Sequence, residues 1–364
     1  MRGLLKLHLL AFTLFIFSSS ASAQSPSFDC HYATTPREQT ICTNPDLAAL
    51  DLKLSAAYKS TLTSLTPISA DQVRSDQREW LHWLNRVCTQ PPFRGQTAAE
   101  CLTNFYNDRL KELTTNSQKI DAAFFYPRAH YVFIPGDSPT SPPASDDDPN
   151  YGYGEFAWPQ IDNPTPAQQA WNQAVQAAAI KVACCSEGTT KPSFNAAVDD
   201  SGWVVSDYTL ASANSRLITV NLTISTYGWG AAHPLSAQTF FTWWLDLQRP
   251  LKSTDVFAPN APWQQKLAAL TLAKLLNDPG PDALWKQGTH DHPGDLEKAV
   301  ARGVTDPKSW ALSSQGLTLN FGSYEVGPYS SGWPSALIPW QDLSPQLNPT
   351  LNPTTLPPPI PTPR

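Results

Sequence analysis

Beyond Phe17 the chain has no run approaching the roughly 20 apolar residues of a membrane-crossing helix, which argues against an integral membrane protein. It also has no excess of basic residues. Against 25 Lys and Arg stand 31 Asp and Glu, a formal net charge of -6, which disfavours nucleic acid and anionic membranes as partners and suits a cationic one. No C-x2-C pair offers a zinc-finger ligand set, and the spacing of an EF-hand loop is missing around Asp146-Asp147-Asp148. No G-x-S-x-G elbow places a nucleophilic serine. His233 with Ser330, Ser331 and Asp246 therefore lacks the constellation of a triad. The expectation is a protein that is not an enzyme and carries no cofactor or metal.

What is present begins with a leader. Arg2 and Lys6 precede an apolar run from Leu9 to Phe17, which gives way to Ala21-Ser22-Ala23, the charged, hydrophobic and cleavage regions of a secretory signal over residues 1–23. Cleavage after Ala23 removes two cations and takes the net charge from -6 to -8. The mature chain is expected to be periplasmic or secreted, in an oxidising space where disulfides persist.

Residues 24–117 carry helix signals. Thr35-Pro36-Arg37-Glu38 is a capped start for a short helix to Cys42, and Asn44-Pro45 restarts the chain. Leu47, Leu50, Leu54, Tyr58, Leu62 and Leu65 then recur at spacings of three and four. Ser69 with Gln72 is the expected cap of the next helix, whose buried stripe is Val73, Gln77, Trp80, Leu81, Leu84 and Val87. Thr97 with Glu100 caps the last, with Leu102, Phe105, Tyr106, Arg109 and Leu113 on one side. Short loops make these neighbours antiparallel and bring Cys30, Cys42, Cys88 and Cys101 to one pole as two disulfides. Three connectivities are open. Cys42 with Cys88 and Cys30 with Cys101 is the preferred one over the two local pairings.

Residues 118–149 read as a Pro/Ser/Asp-rich linker, and residues 346–364 as a disordered or polyproline tail. Between them, residues 150–345 show a strand at Glu155 to Trp158, a helix from Pro166 to Val182, the strand-like runs WVVSDYTL, RLITVNLTIST and QTFFTWWLDL, a helix from Trp263 to Leu276, and the strands GLTLNF and SALIPW. The expected fold class is α plus α+β, a disulfide-stapled antiparallel helical bundle followed by an α+β domain with a mainly antiparallel sheet. The adjacent Cys184 and Cys185 leave a strained disulfide and two buried thiols both open. His290, Asp291, His292 and Asp295 could ligate a metal, but an exposed loop is the better reading.

The stretches FDCHYATTPREQTICTNPDLAALDLKLSAAY, QREWLHWLNRVC and CLTNFYNDRL resemble the LprI-type lysozyme-inhibitor N-terminal family over residues 28–113, with Trp83 where that family has a small or polar residue. YGWGAAHPLSAQTFFTWWLDLQRPLKSTDVF and SSQGLTLNFGSYEVGPYSSGWPSALIPWQDL resemble the C-terminal domain of RsiV-type anti-sigma factors over residues 150–345. Both resemblances imply extracytoplasmic recognition of lysozyme. The expected partner is thus a lysozyme-type glycosidase, with a peptidoglycan-binding accessory module as the alternative. The loop SYEVGPYSSGW has the aromatic and turn-forming composition of a recognition loop, its plainer reading being a buried hairpin. Tyr227, Trp229, His233, Tyr324, Glu325, Tyr329 and Trp333 are the candidate partner contacts.

Overall fold

The computed structural model describes residues 25–89, 96–136, 151–184, 192–199, 202–277, 284 and 295–361. The leader, the acid run at 146–148 and the residues 290–292 lie outside the described residues, as does Cys185.

Four helices open the chain: α1 (Pro36–Thr43), α2 (Pro45–Ser64), α3 (Pro67–Val87) and α4 (Ala98–Thr115). Capping boxes at Thr35/Glu38 and Thr97/Glu100 start α1 and α4 as the sequence predicts. α3 starts earlier than expected, at Thr66-Pro67, because proline at the first helical position presets the backbone there. Ser69 is consequently buried inside the helix, and the Gln72 carbonyl accepts from the Tyr126 hydroxyl at 2.7 Å. The cysteine pairing also differs from the preferred one. Cys30 is bonded to Cys42 and Cys88 to Cys101. Cys30 opens a 3-10 turn just ahead of α1, so the leading arm folds back on the short helix that Cys42 ends instead of crossing to α4. Cys184 is disulfide-bonded rather than a free thiol.

Residues 118–136, expected as linker, form structure instead. β1 (Gln118–Ile120) turns into the long β2 (Ala123–Pro135), which pairs antiparallel with β3 (Tyr151–Ile161) along its whole length. β4 (Gly202–Ala213), β5 (Leu217–Gly228), β6 (Leu235–Trp244) and the short β7 (Arg249–Pro250) complete a seven-stranded sheet in sequence order. Only the β3–β4 pairing is parallel, and α5 (Pro166–Ala183) makes that crossover, burying Trp171, Val175 and Ala179 against the sheet.

Because β1 covers only the first residues of β2, the outer edge of β2 beyond Phe125 needs other partners. α3 supplies them. The Asp76 carboxylate accepts from the Ala129 amide at 3.1 Å and from Arg128 at 2.7 and 3.1 Å. Glu79 accepts from the Tyr131 amide at 3.0 Å. The Trp83 indole donates to the Val132 carbonyl at 2.8 Å and packs on Phe105, Tyr131 and Tyr153. Trp83, the position where the chain departs from the family resemblance, is thus the wedge that joins helices to sheet. Ala129 and Tyr131 of β2 belong to the helices' own core cluster.

A second layer follows: α6 (Ser253–Val256), α7 (Trp263–Asn277), α8 (Asp295–Thr305), a three-stranded antiparallel sheet of β8 (Trp310–Ser313), β9 (Gly316–Asn320) and β10 (Ser335–Pro339), and α9 (Trp340–Leu343). Its core holds Trp263, Trp310, Leu317, Leu319 and Leu343. The tail is ordered to residue 361, contrary to expectation. Apolar residues set between its prolines account for this: Leu356 is buried, Leu347 bridges Phe257, and the Ile360 amide donates to the Ala211 carbonyl at 2.8 Å.

Candidate functional site

The seven candidate contacts fall into two groups on either side of the β5–β6 turn. Tyr227 and Trp229 close a cross-strand aromatic row. Register places Phe133 opposite Tyr153, Tyr153 opposite Trp203 and Trp203 opposite Tyr227, so four strands present rings on one face. The Trp203 ring stacks on Tyr153 at 6.5 Å and on Tyr227 at 5.8 Å. Tyr227 is buried and its hydroxyl donates to the Ala231 carbonyl at 2.8 Å, while the Trp229 indole donates to the Tyr151 carbonyl at 2.6 Å. These two side chains brace the turn.

His233 belongs to the other group. Its Nδ1 lies 2.9 Å from the Pro234 carbonyl, which can only accept, so Nδ1 carries the proton and Nε2 accepts from the Tyr324 hydroxyl at 3.1 Å. The imidazole stacks on Tyr329 with centroids 4.3 Å apart, and Tyr324 and Tyr329 lie 5.8 Å apart. Tyr324 is 46% exposed, Tyr329 38% and Trp333 39%, so these rings face solvent instead of packing as a buried hairpin. The loop that carries them is anchored by Val326, which is fully buried. It is shaped by Gly332 at φ +62°, by the close approach of Gly327 to the Ser331 side chain, and by Tyr324 at φ +65°. A bulky residue in the left-handed region is uncommon and marks a constrained site. Glu325 closes the same turn by accepting from the Gly322 amide at 2.6 Å, and the Trp333 indole donates to Ser323 Oγ at 3.1 Å.

Among the described residues Asp246 does not reach His233. Asp246 pairs with Arg216 at 3.0 Å, at the opposite end of the β5–β6 hairpin. Among the described residues no group of three or more His, Cys, Asp or Glu side chains could hold a metal ion, and Asp295 lies 3.5 Å from Lys298.

A recess that sequence reasoning missed lies between α4 and the sheet. About 270 Å³ in volume, it is lined by Asp108, Lys111 and Glu112 of α4, Glu155 of β3 and Asp207 of β4. At its back Arg109, 1% exposed, donates to Gln77 at 3.1 Å, to Tyr131 Oη at 3.2 Å and to Glu112 at 2.5 Å. Burial first, then the Glu112 charge, pushes the Glu155 carboxyl up to about 8, with Arg109 opposing. The protein around Asp207 also raises its carboxyl, although the side chain itself reaches solvent at the mouth of the recess. Arg109 was legible on the inner stripe of its helix. Glu112 lies on the same helix, but the other acids of the recess, Glu155 and Asp207, were not legible, since they come from strands more than 40 residues away in sequence.

Two family models match the chain. Residues 30–113 match the one described as lysozyme inhibitor LprI, and residues 254–341 the one described as a protein of unknown function, DUF3298. The second match covers α6 through β10 and the start of α9; the resemblance to RsiV-type anti-sigma factors is not what it describes. A crystal structure of a DUF3298 family member from Bacteroides fragilis is 17% identical and covers 62% of this chain and 94% of its own, with a TM-score of 0.42. A DUF3298 family protein from Pseudomonas aeruginosa is 16% identical, covers 64% and 96%, and has a TM-score of 0.41. No curated protein matches the chain.

Proposed function

We propose that this chain is an extracytoplasmic binding protein that recognises a lysozyme-type muramidase and inhibits it without catalysing a reaction of its own. The match of residues 30–113 to the lysozyme-inhibitor family carries this reading. The two disulfides agree with an oxidising compartment, either periplasmic or external after removal of the leader. An acidic chain is steered electrostatically toward a cationic glycosidase. The exposed Tyr324, Tyr329 and Trp333, held by His233 and a constrained loop, supply rigid anchors of the kind that dominate interfaces.

The test is association of the mature protein with a chicken-type lysozyme, alongside a cell-wall lysis assay. Binding and loss of lysis are expected, with salt slowing association more than it speeds dissociation. Tyr329→Ala and Trp333→Ala should each weaken binding, by about 2 kcal/mol where the ring is a central anchor, with unchanged circular dichroism. No association with any lysozyme class at micromolar protein and low salt would sink the proposal. A second reading, peptidoglycan binding, is favoured by the same exposed rings, which suit stacking on sugars; cosedimentation with purified peptidoglycan separates it from the first.

A further inference from the structure

On the β2 edge that α3 covers, one imidazole is gripped from both sides. His130 places Nδ1 2.8 Å from Glu79 Oε1 and Nε2 3.1 Å from Asn195 Oδ1. Glu79 offers a carboxylate, which only accepts, and Asn195 turns its carbonyl oxygen to the ring. An imidazolium donates to both oxygens, whereas a neutral imidazole donates only to Glu79 and meets Asn195 through a turned amide, a neutral bond in place of the charge-assisted one. Asn195 sits on the 3-10 turn Phe194–Ala197. Its neighbour Phe194 is buried, stacked on His130 at 5.8 Å, Phe156 at 4.7 Å and Trp158 at 5.2 Å. Beside this turn a cleft of about 360 Å³ is lined by Glu79, Arg128, His130, Trp158 and Phe194 among others.

We propose that His130 is a proton-operated latch: as the imidazolium it fastens residues 192–199 over the Phe156–Trp158 face of β3 through a charge-assisted bond to Asn195, and on losing its proton it loosens that hold and favours opening of the adjoining cleft. The charges that face it favour the closed form. α3 presents Glu79 and Asp76, the Arg128 charge on β2 is engaged by Asp76, α5 contributes Gln176 and Ile180, and the turn contributes Ser193, Phe194 and Asn195, none of them titratable. The Glu79 hydrogen bond holds His130 above the ordinary imidazole range against the opposing effect of burial. A histidine raised in the folded state contributes stability that is full below its unfolded value of about 6.5 and lost as pH rises through the folded value. The latch is therefore shut in acid and opens toward alkaline pH. Opening exposes Trp158, over whose ring the Arg128 guanidinium lies at 5.6 Å.

Histidine-selective NMR of the mature protein, with hydrogen exchange of residues 192–199 corrected for intrinsic rates between pH 6 and 9, tests this. His130 is expected to titrate above 6.5, and protection of the segment to fall about tenfold through the same pH, as the loss of one charge-assisted hydrogen bond predicts. Asn195→Asp should move both transitions to higher pH and Glu79→Gln to lower, while His130→Gln should flatten the exchange profile. Protection that stays constant while His130 titrates overturns the proposal, as does a pH profile that survives in His130→Gln. Should His130→Gln fail to fold, Asn195→Asp at its exposed position decides: coincident shifts support the latch and an unmoved exchange transition refutes it.

Discussion

Arg109→Ala is expected to destabilise the protein by about 3 to 5 kcal/mol, the cost of removing one member of a buried ion pair. Arg109 is 1% exposed and Glu112 9%, so the variant leaves a carboxylate away from water without its counter-charge. It also strips hydrogen-bond donors from Gln77 on α3 and from Tyr131 on β2. One guanidinium thus ties α4, α3 and the sheet edge together, and its loss loosens the helices from the sheet and not only α4 from its neighbours. Arg109→Lys should recover little, because an ammonium cannot reproduce the planar fork that reaches all three acceptors. The double variant Arg109→Met with Glu112→Gln should be less damaged than the single Arg109→Ala, since it leaves no uncompensated charge. Urea unfolding of the four proteins at pH 7 measures these differences. A single Arg109→Ala variant within about 0.5 kcal/mol of wild type, the range of an ordinary surface substitution, would show that the junction does not depend on this contact.

The same junction explains which parts of the fold the sequence made legible. The helices were readable because their starts are local: Thr35 with Glu38 and Thr97 with Glu100 satisfy their own end groups. β2 was not. Pro127, Arg128, His130 and Pro135 break the apolar alternation of AFFYPRAHYVFIP, and proline argues against a central strand. What makes a strand there is a covered edge, built by Asp76 and Glu79 from a helix some 50 positions earlier. Cysteine pairing was ambiguous for a similar reason, since all three connectivities gather at one pole and the choice rests on where the leading arm folds. Turn composition suited both an exposed loop and a buried hairpin around Tyr324, Tyr329 and Trp333, and only the structure shows these rings at the surface. That His233 joins them while Tyr227 and Trp229 turn to the aromatic row depends on the shape of one tight turn, which residue types alone do not specify.

Glu155→Gln is expected to stabilise the protein, and by an amount that grows with pH. The Glu155 carboxyl is pushed up to about 8 from a reference of 4.5, chiefly by burial and then by the Glu112 charge. Among the described residues no hydrogen bond to its side chain offsets that desolvation, in contrast to Glu79, whose bond to His130 helps hold it below the usual carboxylate range. A carboxyl raised in the folded state binds its proton more tightly there than in the unfolded chain, so its effect on stability runs opposite to that of a salt-bridged acid. Below pH 4.5 both states hold the proton and nothing is lost. Between 4.5 and 8 the unfolded chain ionises while the folded one does not, and stability falls with rising pH. Above 8 the penalty is complete, and the partial exposure of the side chain keeps it below the full free energy of such a shift. Glutamine keeps the shape and the uncharged state at every pH. Unfolding free energies of wild type and variant should therefore run together below pH 4.5, diverge between 4.5 and about 8, and run parallel above that. Taking the difference removes the titrations of His130 and Glu79, which lie away from the recess and which both proteins share, and leaves only the smaller coupling of Glu155 to Glu112 and Asp207. A difference that is flat across this range would mean that Glu155 ionises freely in the recess, with water reaching it as readily as in the unfolded chain.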